Sequence, residues 1–131
     1  MPIEVVINKK EEGVFVVSVG GSIDTETYVL LEKEVNSILD KTTRGLIFDF
    51  KNVSYISSMG LSAIFRIKQS LEEYYGTIAI INLQPQIKKV FETVKVLPEN
   101  YFSTMQEAER HMDEFLADVQ QKELDKKKPQ P

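Results

Sequence analysis

The sequence predicts a single α/β domain with a mixed sheet of four to five strands and about four helices. Its length of 131 residues is typical of one domain. Short β-branched runs alternate along the chain with apolar stripes of helical period. After two opening strands, helices and strands alternate to the end of the chain. This order favours a sheet that is mostly parallel after an opening hairpin, with helices packed against it.

The first four strands are predicted at 3–8, 14–21, 44–50 and 77–82. The first two flank the segment KKEEG, which is typical of a hairpin turn. The run at 44–50 is mostly apolar without interruption, which indicates a strand covered on both faces. Residues 101–104 are expected to form a last, short edge strand.

Four helices are predicted from apolar residues spaced three or four positions apart. Their stripes are Leu31, Val35, Ile38 and Leu39; Gly60, Ile64, Ile67 and Leu71; Ile87, Val90, Phe91 and Val94; and Ala108, Met112, Phe115 and Val119. Asp24 or Thr25 can cap the first helix, and Thr104 the fourth. We expect the domain to span 1–119 and the polar segment 120–131 to form a disordered tail.

Composition and charge argue against several classes of function. The chain has no cysteine, which excludes disulfide frameworks and thiolate chemistry. The net charge of −4 disfavours nucleic-acid binding, which needs a basic face. No secretory signal is visible, and no stretch reaches the roughly 18 apolar residues of a membrane span. We therefore expect a cytoplasmic protein without membrane insertion.

Polar residues are predicted to meet at the carboxyl ends of the strands, where such sheets carry functional groups. Asp24 follows the second strand, Asp49 ends the third predicted strand, and Ser57 and Ser58 open the second helix. A helix N-terminus has free N–H groups and partial positive charge, so it accommodates a phosphate oxygen. A serine at this point either caps the helix or carries a regulatory phosphate, and residue types alone leave both interpretations open.

A phosphate at the helix start would change a surface that a partner could bind. The unmodified serine would present a small polar and apolar surface formed by Ser58, Met59, Leu61 and Ser62. Phosphorylation would add about −1.5 to −2 charge to it. Local electrostatics would then separate a binding state from a non-binding state.

Three motifs in this order resemble the STAS domain, and in particular the bacterial anti-sigma factor antagonists. That family has G-x-[IL]-D after its second strand, which residues 21–24 match. It has an acid or amide at the end of the next strand, matched by Asp49, and D-S-x-G-[LI] at the second helix. Ser58, Gly60 and Leu61 match this last motif. The similar region covers roughly residues 3 to 117.

The resemblance implies an anti-sigma factor antagonist with Ser58 as its phosphoacceptor. Asp24, Asp49, Ser57 and Gly60 are expected to shape the pocket around that serine. The unmodified protein would bind an anti-sigma factor that is also a serine kinase, and so release sigma factor. A PP2C-type phosphatase would reset the serine. The resemblance implies no enzymatic activity and no cofactor for this chain, since ATP would belong to the kinase.

One position departs from the family pattern. Ser57 stands where the family often has aspartate. This leaves open whether a kinase that reads the acid recognises the chain. It also makes Ser57 a competing acceptor.

Several alternatives remain. A STAS-type accessory subunit of a transport or signalling complex would bind a protein partner at the same helix end, with Ser58 only capping. A sensory module would bind a nucleotide or another anion there. Asp49 could instead be a receiver-domain phosphoacceptor. Such a site needs a pair of acids near the end of the first strand to hold Mg²⁺, and the acids nearest to that position, Glu11 and Glu12, lie in a hairpin turn. His111, the one histidine, is predicted to pack at a helix interface.

Overall fold

The computed structural model describes residues 2–94, 101–102 and 104–127, and its sheet has the predicted mixed architecture. The strands are β1 (Ile3–Glu11), β2 (Val14–Ile23), β3 (Gly45–Ile56), β4 (Thr77–Ile81) and β5 (Tyr101–Phe102). They lie in the order β1-β2-β3-β4-β5. The β1–β2 hairpin is antiparallel, and each later pair of neighbours is parallel.

Helices cover both faces of this sheet. They are α1 (Tyr28–Asn36), α2 (Ser58–Glu73), α3 (Pro85–Val94) and α4 (Met105–Lys127). The first three pack on one face, where their apolar stripes and alternate strand residues form the main core. Helix α4 packs on the other face through Ala108 and Met112, which join a smaller cluster. In the described ranges, no helix has both the length and the apolar character needed to cross a membrane.

Strand β3 is longer than the sequence predicts. The strand continues from the predicted end at Phe50 to Ile56. Its register against β2 shifts twice, between the partners Ser18 and Gly20 and between Gly21 and Ser22. Such irregularities let a strand stay paired while its inside–outside alternation is broken. Strand prediction relies on this alternation, so the sequence pattern does not predict the second half of β3.

The end of the chain also differs from the predicted disordered tail. Residues 120–127 continue α4, and residues 128–131 lie outside the described part of the chain. Pairs one helical turn apart support this polar segment, namely Lys122 with Asp118 and Gln121 with Asp125, both at 3.1 Å. Residue 103 of the predicted last strand and the side chain of Val94 lie outside the description as well.

Candidate functional site at the start of helix α2

The starts of α1 and α2 lie side by side at the carboxyl edge of the sheet. The backbone N–H of Ser57 donates a hydrogen bond to the carbonyl oxygen of Ile23 at 2.8 Å. Ile23 is the last residue of β2, and Asp24 follows it directly. The loop that leads into α1 is therefore tied to the residue that precedes α2.

Ser57 is the N-cap of α2. This half-buried residue has an extended backbone, with φ −90° and ψ 173°, and its side-chain oxygen accepts a hydrogen bond from the N–H of Gly60 at 3.1 Å. Its carbonyl oxygen accepts from the N–H of Leu61 at 2.9 Å. The bond to Leu61 is the first regular hydrogen bond of the helix, and the side-chain bond satisfies one of the N–H groups that a helix start leaves open, that of Gly60. Of the two serines, Ser57 performs the capping role that the sequence left unassigned.

Ser58 is the first residue of the helix, and it is exposed. Within the described residues its hydroxyl has no hydrogen-bond partner. A serine at this position is not required for capping, because its neighbour already fills that role. Its oxygen is accessible from solvent at the positive end of a 16-residue helix.

Gly60 lets the first turn of α2 lie directly against the sheet. A Cβ atom on Gly60 would come within 2.5 Å of the Ile23 carbonyl oxygen and 2.9 Å of a side-chain carbon of Ile56. These distances are too short for any side chain without movement of the backbone. Gly60 therefore fixes how closely α2 approaches the ends of β2 and β3.

Asp24 organises its own loop. Its carboxylate accepts hydrogen bonds from the N–H groups of Glu26, at 2.9 Å, and Thr27, at 3.0 Å. The Thr27 hydroxyl donates to the carbonyl oxygen of Ser22 at 2.6 Å. Hydrogen bonds from the Glu26 and Thr27 backbone lower the pKa of Asp24. The N-cap of α1 is Thr27, so neither predicted candidate, Asp24 or Thr25, caps the helix. Asp24 instead holds the N–H groups of the turn that leads into it.

Asp49 does not end β3, so the predicted convergence with the serines is wrong for this residue. Asp49 pairs with Ser18 of β2, and Ile56 pairs with Ile23. Along β2, the five residue steps from Ser18 to Ile23, at about 3.3 Å each, place the level of Asp49 roughly 16 Å from the end of β2 at which α2 starts. Its carboxylate instead accepts hydrogen bonds from the Lys51 N–H and the Asn82 side-chain amide, at 3.0 and 3.1 Å. It ties the β4–α3 loop to the middle of β3.

The outer face of α2 differs in part from the predicted partner surface. Met59 is 38% exposed and Ser62 is exposed, as a contact surface requires. Leu61 departs from the prediction, because it is only 8% exposed and packs in the main core. Phe65, one helical turn beyond Ser62 and 36% exposed, lies on the face that Ser58 and Ser62 define. We call Ser58, Met59, Ser62 and Phe65 the α2 outer face.

Sequence reasoning also missed the neighbouring surface of α1. Arg66 of α2 forms an ion pair with Glu32 of α1 and lies over the ring of Tyr28, 5.8 Å from its centre. The hydrogen bond to Glu32 raises the pKa of Arg66. Beside this pair, Val29 is 56% exposed. The sequence did contain a signal for this surface. Val29 and Phe65 are apolar but belong to neither of the predicted buried stripes of α1 and α2.

The other candidates do not form a second site. His111 lies 3.4 Å from the hydroxyl of buried Thr77, where α4 packs against β4, in agreement with its predicted interface position. Glu11 and Glu12 are exposed at the β1–β2 turn, and Glu12 pairs with Lys9 at 2.7 Å. Within the described ranges, no group of three or more histidine or acidic residues is arranged to hold a metal ion.

Comparison with known proteins places this geometry in a family. The model of the STAS domain matches residues 6–108. The chain is 28% identical over 83 residues to BtrV of Bordetella bronchiseptica, named as a candidate anti-sigma factor antagonist. That match covers 63% of this chain and 72% of BtrV.

Solved structures have the same fold. An anti-sigma factor antagonist from Mycobacterium paratuberculosis superposes with a TM-score of 0.76 at 21% identity, covering 86% of this chain and 95% of the other. The anti-sigma factor antagonist SpoIIAA in its unphosphorylated form gives 0.74 at 18% identity, covering 84% and 96%. The fold also occurs within the murine anion transporter Slc26a9, with a TM-score of 0.71 at 18% identity, covering 80% of this chain and 18% of the transporter. With its family match spanning most of its length, this chain belongs to the STAS domain family.

Proposed function

We propose that this protein is an anti-sigma factor antagonist whose binding is controlled by phosphorylation of Ser58. In its unmodified form it binds an anti-sigma factor that is also a serine kinase, and this binding releases sigma factor. The observation that carries the proposal is the exposed Ser58 hydroxyl at the start of α2, next to a serine that already caps the helix.

The helix start can accept the added charge without unfolding. The Gly60 N–H donates to the Ser57 side chain and the Ser57 N–H donates to Ile23, which leaves those of Ser58 and Met59 as the open donors at this end within the described residues. A phosphate on Ser58 brings three acceptor oxygens and about −1.5 to −2 charge to the positive end of the helix. The modification therefore changes the surface while the fold is retained.

The same charge is unfavourable for a partner that fits the unmodified surface. The exposed side chain of Met59 follows Ser58 directly, and a partner covering both would have to strip water from a phosphate dianion. Removing a charge from water without a matched counter-charge is costly. Asp24, which stays ionised through its backbone hydrogen bonds, adds like charge to the same edge of the sheet. The unmodified state is therefore the binding state.

The resemblance to named antagonists supports this choice of partner. BtrV carries the antagonist name, and SpoIIAA has solved structures in both unphosphorylated and phosphorylated forms. By extension to this chain, a PP2C-type phosphatase returns Ser58 to the hydroxyl form. The role requires no catalysis by this chain, because the kinase and the phosphatase supply the chemistry.

Phosphotransfer in vitro tests the proposal. The purified chain is incubated with ATP and a purified anti-sigma factor serine kinase from the same genome, and the product is mapped by mass spectrometry. We expect one phosphate, on Ser58, and none on a Ser58→Ala variant. A PP2C-type phosphatase should remove it. A phosphate at another residue, or none with a kinase that binds the chain, would contradict the proposal.

A second candidate function is a STAS accessory domain that binds a protein partner without phosphorylation. The observation that favours this second function is the occurrence of the same fold within the larger transporter Slc26a9. The α2 outer face would then serve a constitutive contact. Equal affinity of Ser58→Asp and Ser58→Ala variants for a partner would support this function over the switch.

A further inference from the structure

We propose that Ser57 is the positioning residue that makes Ser58, and not Ser57, the phosphoacceptor. This inference rests on the switch proposed above. It assigns different roles to two adjacent serines that are chemically identical. The observations that separate them are the hydrogen bonds and burial at the start of α2.

The hydroxyl of Ser57 is held away from an incoming kinase. Ser57 is half-buried, and its side-chain oxygen accepts the Gly60 N–H at 3.1 Å, so this oxygen is engaged in the cap. To attack the terminal phosphate of ATP, this oxygen would have to leave the cap and expose the Gly60 N–H. The exposed hydroxyl of Ser58 can turn toward the kinase with no such loss.

The start of α2 cannot shift by one residue to exchange these roles. If Ser58 were the cap, its side chain would take the N–H of Leu61, which now donates to the Ser57 carbonyl oxygen at 2.9 Å. Leu61 would then occupy the third helical position, where Gly60 now lies against Ile23. A Cβ atom at that position comes within 2.5 Å of the Ile23 carbonyl oxygen, so leucine does not fit.

A bond on the other side fixes the same register. The N–H of Ser57 donates to the carbonyl oxygen of Ile23 at 2.8 Å, which anchors the residue to the end of β2. Ser57 is thus held through its N–H, its carbonyl oxygen and its side chain. Because Ser57 is fixed, Ser58 is always the first residue of α2, and its position relative to an approaching kinase is the same in every molecule.

Three substitutions separate capping from charge at position 57. Ser57→Ala removes the cap, Ser57→Asn keeps a neutral cap, and Ser57→Asp keeps a cap and adds a charge. Phosphotransfer is measured on the full chain with ATP and the anti-sigma factor kinase named above. For Ser57→Ala we expect kcat/KM to fall about fivefold through a higher KM with kcat little changed, because a smaller share of molecules present Ser58 correctly. Ser57→Asn should restore kcat/KM to within about twofold of the wild type.

The outcomes decide the inference. A phosphate on Ser57 in the wild-type chain, wild-type kinetics for Ser57→Ala, or no rescue by Ser57→Asn would each overturn it. Ser57→Asp measures how far the kinase reads an acid at this position, and its phosphate should still be on Ser58. A phosphate moved to any other residue by Ser57→Asp would also contradict the fixed register.

A measurement without the kinase distinguishes failure of this inference from failure of the switch. Amide hydrogen exchange of Gly60, followed by NMR, should be about fivefold faster in Ser57→Ala and restored in Ser57→Asn. If the wild-type chain takes no phosphate but exchange follows this pattern, the proposed switch is wrong and the positioning role of Ser57 stands. Unchanged exchange in Ser57→Ala overturns the positioning role itself.

Discussion

Helices α1 and α2 begin at the same edge of the sheet, but the polar residues at the two helix starts differ in one respect. At α1, the Asp24 carboxylate and the Thr27 hydroxyl are bound to each other and to the backbone of the loop. At α2, Ser57 is bound in the same manner, while the Ser58 hydroxyl beside it is exposed and without a partner in the described residues.

This difference separates structural from functional polar residues. A side chain whose acceptors are filled by backbone N–H groups sets the path of the chain, and modifying it would cost those bonds. A hydroxyl that makes no such bond can be modified without that cost. The start of α1 therefore supports the loop beside the candidate site, and the start of α2 is where we propose that the modification occurs.

The largest expected effect is on partner binding by Ser58→Asp. The added charge should weaken binding to the anti-sigma factor at least about 100-fold, or about 2.7 kcal/mol, measured by calorimetry. Ser58→Ala should bind within about threefold of the wild type. Gln69→Asp places the same charge about three turns further along α2 and serves as the charge control, with an expected effect within about threefold. Equal loss in both aspartate variants would show a long-range charge effect and not a switch at the helix start.

The second-largest effect should be the loss of folding stability caused by Gly60→Ala. Glycine to alanine within a helix ordinarily stabilises by about 0.5–1 kcal/mol. Here the new Cβ meets the Ile23 carbonyl oxygen at 2.5 Å, so we expect a loss of about 2 kcal/mol in the free energy of unfolding by urea. Gly20→Ala is the matched control, because its Cβ would find only ordinary contacts, beginning with the Asn52 side chain at 3.5 Å. Stabilisation by Gly60→Ala would mean that α2 is not held against β2.

A smaller effect is expected from removing the cap of α2. Ser57→Ala should lower the free energy of unfolding by about 1 kcal/mol, since the Gly60 N–H loses its acceptor. Ser57→Asn should stay within a few tenths of the wild type because asparagine is an equally good cap. Both are measured by urea denaturation at neutral pH. If the two variants lose the same stability, the hydroxyl of Ser57 is not acting as a cap.

The smallest effect is the pH dependence contributed by Asp24. Its pKa is lowered in the folded chain by N–H groups of Glu26 and Thr27, so ionised Asp24 favours folding. That contribution is present above the unfolded pKa of about 3.9 and is lost as the pH falls through the lower folded value. The difference in stability between the wild type and Asp24→Asn should therefore be constant near neutral pH and shrink below about pH 4. A difference that grows on acidification would contradict this assignment.

The sequence predicted most elements of the fold because the helices have apolar stripes and the strands are short β-branched or apolar runs. The stripe of Gly60, Ile64, Ile67 and Leu71 is the buried face of α2, and the hairpin, the parallel strands and the Thr104 cap of α4 are confirmed. The end of β3 was missed because its register shifts remove the alternation of inward and outward residues. That miss misplaced Asp49 in the site.

Periodicity and local motifs are properties of the chain, so they were enough to predict the fold family, most elements and the pair of serines at one helix start. Three results required the folded molecule: that Ser57 is the serine that caps α2, that Leu61 is buried, and that Asp49 lies away from the site. The first two results depend on how closely α2 packs against the ends of β2 and β3, and the third depends on the register of β3 against β2. A few ångströms between Gly60 and Ile23 set the helix register, and no local pattern encodes that distance.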